Sequence, residues 1–336
     1  MHVWAAALLP TDIDEPGYIQ FARDYARALK SGDLNAIVDY PGNREHPALV
    51  KLLYGFGILA LGPNATEQAA LLTARAVSVV FGALAVALVA VSAGPLAGGL
   101  LALHTLAVKY TAQAYLEALP HLASIATVFA FRRARGGRSG SFWFSAILLG
   151  LTAAGKLTYV PVIVVVICYL AIFESDRPWP WLLPYFAVAL TTFFLLDPTL
   201  WHDPLTRLAD TLFFYTRYTH SADVARYHYP WYQPFVWIFM SVGHIWHPTV
   251  FFYFGLDGPI AILAGLGLRR EWRERRWLVV WLGSGLLFLL LWPTKWPQYA
   301  LTIVPPVCLV AAATLTDFYQ RARATLSRYR FPAKFE

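Results

Sequence analysis

The strongest constraint on this fold is the length of the apolar runs that fill the chain. They fall at roughly 68–92, 94–110, 115–131, 141–155, 157–173, 181–197, 249–268, 277–292 and 298–316. Runs of about 16 to 25 apolar residues match the helix length that crosses a hydrocarbon core ~30 Å thick. In that solvent the backbone must satisfy its own hydrogen bonds, which leaves helices for runs this long. Composition agrees: 58% of residues are hydrophobic and 14% charged, against roughly 25% charged in an ordinary soluble domain. The sequence therefore predicts an all-α, polytopic transmembrane bundle of about nine spans, the shorter ones covered at their ends by neighbours or a water-filled cavity. The opening MHVWAAALL is too short to span or to form a cleavable signal peptide. It reads as the remnant of a truncated first membrane helix.

Charge gives the orientation. The net charge is +7, and the basic residues concentrate in RRARGGR (132–138), RREWRERR (269–276) and RARATLSRYRFPAK (321–334). Each follows an apolar run. Alternating the spans puts all three on one side, as cytoplasmic segments under the positive-inside rule. The implied organisation is a helix remnant at 1–9 and an extracytoplasmic loop with interfacial helices at 10–67. Membrane helices follow at 68–197, an aromatic-rich extracytoplasmic loop at 198–248, more membrane helices at 249–316, and a basic cytoplasmic tail at 317–336. The partners are then membrane lipids; no nucleic-acid motif is present. Cys168 and Cys308 lie inside apolar runs and read as small core residues.

The first loop opens on an acidic cluster, Asp12, Asp14 and Glu15, in TDIDEPGYIQFARDYARAL. Pro16 suits the first turn of a helix, with Asp14 or Glu15 at its cap. Tyr18, Phe21, Ala22, Tyr25, Ala26 and Leu29 then share one helical face. Such a helix, lying along the outer membrane surface, holds the carboxylates at the mouth of the bundle. Further polar groups stand at span ends on the same side: His46, Arg75, Lys109, Glu117, Lys156 and Lys295. Ionisable groups at membrane depth are functional suspects. Carboxylates and cations on one face suit a reaction in which a hydroxyl loses a proton while a phosphate leaves and its charge is stabilised. No P-loop or dinucleotide fingerprint appears, which leaves a phosphorylated lipid as donor.

These residues resemble the GT-C superfamily of membrane glycosyltransferases, in the bacterial branch related to protein O-mannosyltransferases and lipid A aminoarabinose transferases. DEPGY (14–18) is similar to the family's acidic first-loop motif. HPAL (46–49), LGPNATEQAALLTAR (61–75), GLTAAGK (150–156), DPTLWHDP (197–204) and TKWPQYALTIVPP (294–306) follow in the family's order. Ala48 departs from the usual H-P-P-L. The resemblance implies transfer of a sugar from a polyprenyl-phosphate donor to a lipid, glycan or protein hydroxyl, with inversion, at the outer face of a bacterial inner membrane. It implies Asp14 as base, Glu15 as its neighbour or substitute, and Glu117 as a second acid. Arg75, Lys156 and Lys295 would bind the donor phosphate, with Tyr18, His46 and Tyr299 in the substrate site. Aromatic residues of 198–248 would stack on sugar faces. No cofactor is required, and a divalent cation is left open. His244 and His247, one helical turn apart, raise a metal site, but no carboxylate or cysteine completes a recognisable ligand set. The competing readings are a flippase for a lipid-linked sugar and a non-catalytic envelope scaffold.

Overall fold

The computed structural model describes residues 1–62, 65–134, 139–175, 179–240 and 255–329. The described residues form helices and connecting loops, as the run lengths predict. The first part runs α1 (His2–Leu8), α2 (Glu15–Ser31), α3 (Leu34–Val38), α4 (Leu49–Leu61), α5 (Glu67–Ala93), α6 (Pro95–Leu103), α7 (Thr105–Ala112), α8 (Ala118–Ala134) and α9 (Ser139–Gly155). The second runs α10 (Val160–Tyr169), α11 (Leu182–Leu196), α12 (Pro204–Tyr218), α13 (Ala222–Tyr227), α14 (Gln233–Phe239), α15 (Asp257–Glu274), α16 (Arg276–Leu291) and α17 (Val304–Tyr329).

The spans are less uniform than the sequence implies. Among the described residues, Glu67–Ala93 and the segment Leu157–Glu174 are helical, long and apolar enough to cross a bilayer. Leu49–Leu61, Ser139–Gly155, Leu182–Leu196 and Arg276–Leu291 are shorter apolar helices. The run 94–110 breaks at His104, whose backbone is extended. A tertiary contact stands at the break: the N–H of Thr105 donates to Asp257 Oδ1 at 2.9 Å, so a carboxylate from α15 caps a new helix there. The run 298–316 likewise starts as a tight 3-10 turn, Pro297–Thr302, before α17 begins. The start of the run 249–268, and His244 and His247 with it, lie outside the described residues.

The predicted first-loop helix forms as α2. Tyr18, Ala22, Tyr25 and Ala26 are buried as expected, joined by Glu15 and Ile19. Its partner is α4. A Cβ on Gly55 would meet the Ala22 carbonyl at 2.9 Å, so glycine lets the two helices touch backbone to side. Gly155 plays the same part between α8 and α9: a Cβ there would meet Pro120 at 2.8 Å. This contact draws the end of α9 to the start of α8. It brings Lys156 beside Glu117.

Candidate active site: a chamber at one end of the bundle

A cavity of about 470 Å³ opens where α2, the 43–46 loop, α7, α12 and the 3-10 turn at 297–302 meet. Volumes of ~300–1,000 Å³ are usual for ligand sites. One part of its wall is polar, from Asp12, Asp14, Glu45, His46, Lys109 and Lys156. Another is aromatic, from Phe214, Tyr215, Tyr218, Tyr227, Trp296 and Tyr299.

Asp14 occupies the N-cap position of α2 but makes no capping hydrogen bond with its side chain. The carboxylate instead faces the chamber. Burial pushes its pKa up to about 6; Lys156 and Lys109 pull against that shift, and Glu117 and Asp12 reinforce it. The same four residues form two ion pairs flanking Asp14. Lys109 Nζ lies 2.6 Å from Asp12 Oδ2. Lys156 pairs with Glu117, both fully buried, and its ammonium stands 5.4 Å from the ring centre of Tyr299. Burial alone would raise Asp12, but Lys109 beside it holds the carboxyl below its ordinary value. Asp12 and Asp14 are thus driven in opposite directions, the usual sign of divided roles. Burial, with Lys156 and Lys51 adding to it, holds His46 well below the ordinary histidine value, so the imidazole is uncharged. His46 sits between Tyr18 and Tyr215, with ring centres 6.5 and 6.4 Å away.

The aromatic residues of the wall pack on one another in two groups. Phe214 stacks on Tyr218 at 5.2 Å, Tyr215 packs on Trp292 at 4.8 Å, and Tyr227 meets Trp296 edge-on at 5.4 Å. Of the aromatic residues expected to meet a sugar, Tyr215, Tyr218 and Tyr227 line the chamber. Trp201, Trp231 and Tyr232 are exposed.

The chamber therefore brings together Asp14, Tyr18, His46, Lys156 and Tyr299. Three other expected residues stand elsewhere, and one stands behind the wall. Glu15 points away from the chamber into a sealed ion pair with Arg75: Nη2 is 2.6 Å from Oε2 and Nε 2.8 Å from Oε1. Glu15 also accepts the N–H of Ala114 at 2.7 Å and of Asp12 at 2.9 Å. Arg75 gives its remaining protons to the carbonyls of Ala6, Leu9 and Pro10 at 2.7, 2.7 and 3.0 Å. Neither is placed to act on a substrate in the chamber; together they staple the first loop to α5. Lys295 donates to the carbonyls of Leu289 (2.8 Å), Leu290 (2.9 Å) and Trp292, which closes the C-terminus of α16 rather than a phosphate site. Glu117 does not line the chamber; it holds Lys156 there. Its Oε2 is buried without a hydrogen-bond partner.

Sequence reasoning gave no role to Asp12, Glu45 or the Lys109 ammonium within the site. Asp12 was signalled by its acidic cluster and Lys109 by its place at a span end. Glu45 had no signal. Among the described residues, no group of three or more His, Cys, Asp and Glu is arranged to hold a metal ion.

No protein-family profile matches the chain, and no curated protein matches it in sequence. Solved structures do match. ArnT from Cupriavidus metallidurans superposes in the apo state with TM-score 0.63 and 15% identity, over 96% of this chain and 59% of that one. Its complex with undecaprenyl phosphate gives TM-score 0.63 and 14% identity, over 96% and 60%. The archaeal oligosaccharyltransferase AglB from Archaeoglobus fulgidus, in complex with an inhibitory peptide and a dolichol-phosphate, gives TM-score 0.47 and 13% identity, over 95% and 49%. The chain shares the fold of these ArnT structures. It spans about three-fifths of the ArnT chains.

Proposed function

We propose that the protein is an integral membrane glycosyltransferase. It moves a sugar from a polyprenyl-phosphate carrier to a hydroxyl of a lipid, glycan or protein acceptor, at the extracytoplasmic face of a bacterial inner membrane. The observation that carries this reading is Asp14: a carboxylate open to the chamber, without a capping bond, between two lysine–carboxylate pairs. The GT-C fold and the undecaprenyl phosphate bound in one ArnT structure support the class of donor.

In this reading the acceptor hydroxyl donates its proton to Asp14. The acceptor oxygen forms a bond to the anomeric carbon from the side opposite the phosphate, and the bond from that carbon to the phosphate oxygen breaks. The electron pair stays on the phosphate, where Lys156 stabilises it. The configuration inverts. A base with a pKa near 6 is ionised at neutral pH and still accepts a proton readily. The aromatic wall stacks on sugar faces and keeps bulk water out.

The test is reconstitution in lipid nanodiscs with a panel of polyprenyl-phosphate sugars and a cell-envelope acceptor extract, following free polyprenyl phosphate by mass spectrometry. Release that disappears in Asp14→Asn supports transfer. Release by neither protein, from any donor, overturns it and favours a flippase or scaffold.

A further inference from the structure

A buried lysine outside the chamber grips the loop that forms part of its wall. Lys51 lies in the first turn of α4, closed to solvent. Its ammonium donates to three oxygens of one short loop: the Asn43 carbonyl at 3.2 Å, Asn43 Oδ1 at 2.8 Å and the His46 carbonyl at 3.0 Å. These partners are neutral; Asp197 and Glu45 supply negative field at longer range. Burying an ammonium is expensive unless it is well hydrogen-bonded, so three donations into one turn are a strong local restraint.

The turn needs a restraint. Asn43 stands at φ +51°, in the left-handed region that non-glycine residues seldom occupy. Such a conformation persists where the surroundings over-determine it, and it clusters at functional sites. The rest of the loop depends on Asn43. Its Nδ2 donates to Glu45 Oε1 at 2.6 Å, and its carbonyl accepts the N–H of His46 at 3.2 Å. The far end of the loop is pinned separately, where the Ala48 N–H donates to Asp197 Oδ1 at 3.1 Å. Asn43, Glu45 and His46 all line the chamber, and Lys51 does not.

We propose that Lys51 is a positioning residue: it holds the strained Asn43–His46 turn and thereby sets Glu45 and His46 against the substrate chamber. Its consequence for catalysis rests on the glycosyl-transfer reading; its grip on the turn does not.

Two measurements separate these. The first is hydrogen exchange, by mass spectrometry, of the protein in nanodiscs. In Lys51→Met, the peptide over residues 42–46 exchanges about tenfold faster or more, while α2 and the rest of α4 keep their protection. Unchanged exchange in the turn overturns the proposal. So does a rise spread evenly over α2 and α4, which would make Lys51 a general structural residue. If Lys51→Met does not fold, Asn43→Ala breaks the same grip and carries the same expectation and the same overturning result. The second is a double-mutant cycle on kcat/KM. Lys51→Met lowers it about tenfold in the wild-type background but less than about twofold when Glu45 and His46 are both alanine. An equal loss in both backgrounds overturns the positioning role. Absence of transfer in every variant, wild type included, counts against the glycosyl-transfer reading alone, and the exchange data still decide the grip.

Discussion

Ion pairs occur at both ends of this bundle, and what surrounds them differs. Arg75 and Glu15, which tie the first loop to α5, are 3% and 0% exposed, and Lys156 and Glu117, beside the chamber, are 2% and 1%. At the end remote from the chamber, α15 and α17 carry a second set. Arg270 bonds Glu274 at 3.1 Å, Arg275 bonds Glu271 at 2.6 Å and Arg321 bonds Asp317 at 2.9 Å. There the arginines are 32%, 35% and 74% exposed, although Glu271 is itself 0% exposed. The remote pairs join residues four positions apart, whereas the buried pairs join residues 60 and 39 positions apart. Exposed pairs contribute roughly 0–1 kcal/mol and are screened by salt. Buried pairs hold charges that have lost their water, so removing one partner is costly. The Lys156–Glu117 and Lys109–Asp12 pairs set the electric field around the Asp14 carboxylate.

The comparison is sharpest at Asp14. Under the proposed glycosyl transfer, Asp14→Asn is expected to lower kcat by at least about 10²-fold, since it would remove the base, with KM little changed. In the wild type, kcat/KM should rise with pH through about 6 and level off above it. Stability moves the other way. The folded state raises this pKa from 3.8 to about 6, so it binds the proton more tightly than the unfolded chain does. Ionised Asp14 therefore destabilises the fold. The penalty is absent below about pH 4, grows through the window up to pH 6, and is at most about 3 kcal/mol above it. Asp14→Asn should melt later than wild type at pH 7.5 and together with it at pH 4. Equal melting at both values would break the claim that burial governs this group.

Under the same proposal Lys156→Met should rank next, with kcat lowered about 10²-fold through loss of the charge that would stabilise the leaving phosphate. It also strands Glu117, so Lys156→Met/Glu117→Gln should recover stability without recovering turnover. Recovery of both would reduce the pair to a structural one. Arg75→Met is expected to lower stability by about 3–5 kcal/mol by leaving Glu15 buried and unpaired. Its signature is a falling thermal midpoint at all donor concentrations rather than a change in KM. Lys295→Met should be milder, about 1–2 kcal/mol from three lost carbonyl contacts, with turnover per folded molecule unchanged. Smallest of all, Arg321→Gln should shift stability by less than about 0.5 kcal/mol. A large effect there would erase the contrast between the two ends.

Much of the site was legible along the chain because it lies at element ends. Asp14, His46, Lys156 and Tyr299 each sit where an apolar run meets a polar connector, and such positions converge when helices pack side by side. The wrong assignments have one cause. Asp14 and Glu15 are neighbours at a helix start, and successive helical residues point about 100° apart. One carboxylate therefore faces the chamber and the other faces α5. Periodicity gives their separation but not which one faces the partner helix. Arg75 and Lys295 were misread for the same reason: a cation at a span end is equally placed for a ligand, a carboxylate or a helix carbonyl.

The sequence by itself determined that the chain is helical and strongly apolar, and which residues are candidates for chemistry. Those conclusions follow from hydrophobic run length and from the rarity of charge within such runs. The tertiary structure alone decided which charges neutralise each other and which one is left open. That choice depends on distances of a few ångströms between residues about 40 to 100 positions apart, set by contacts such as Gly155 against Pro120.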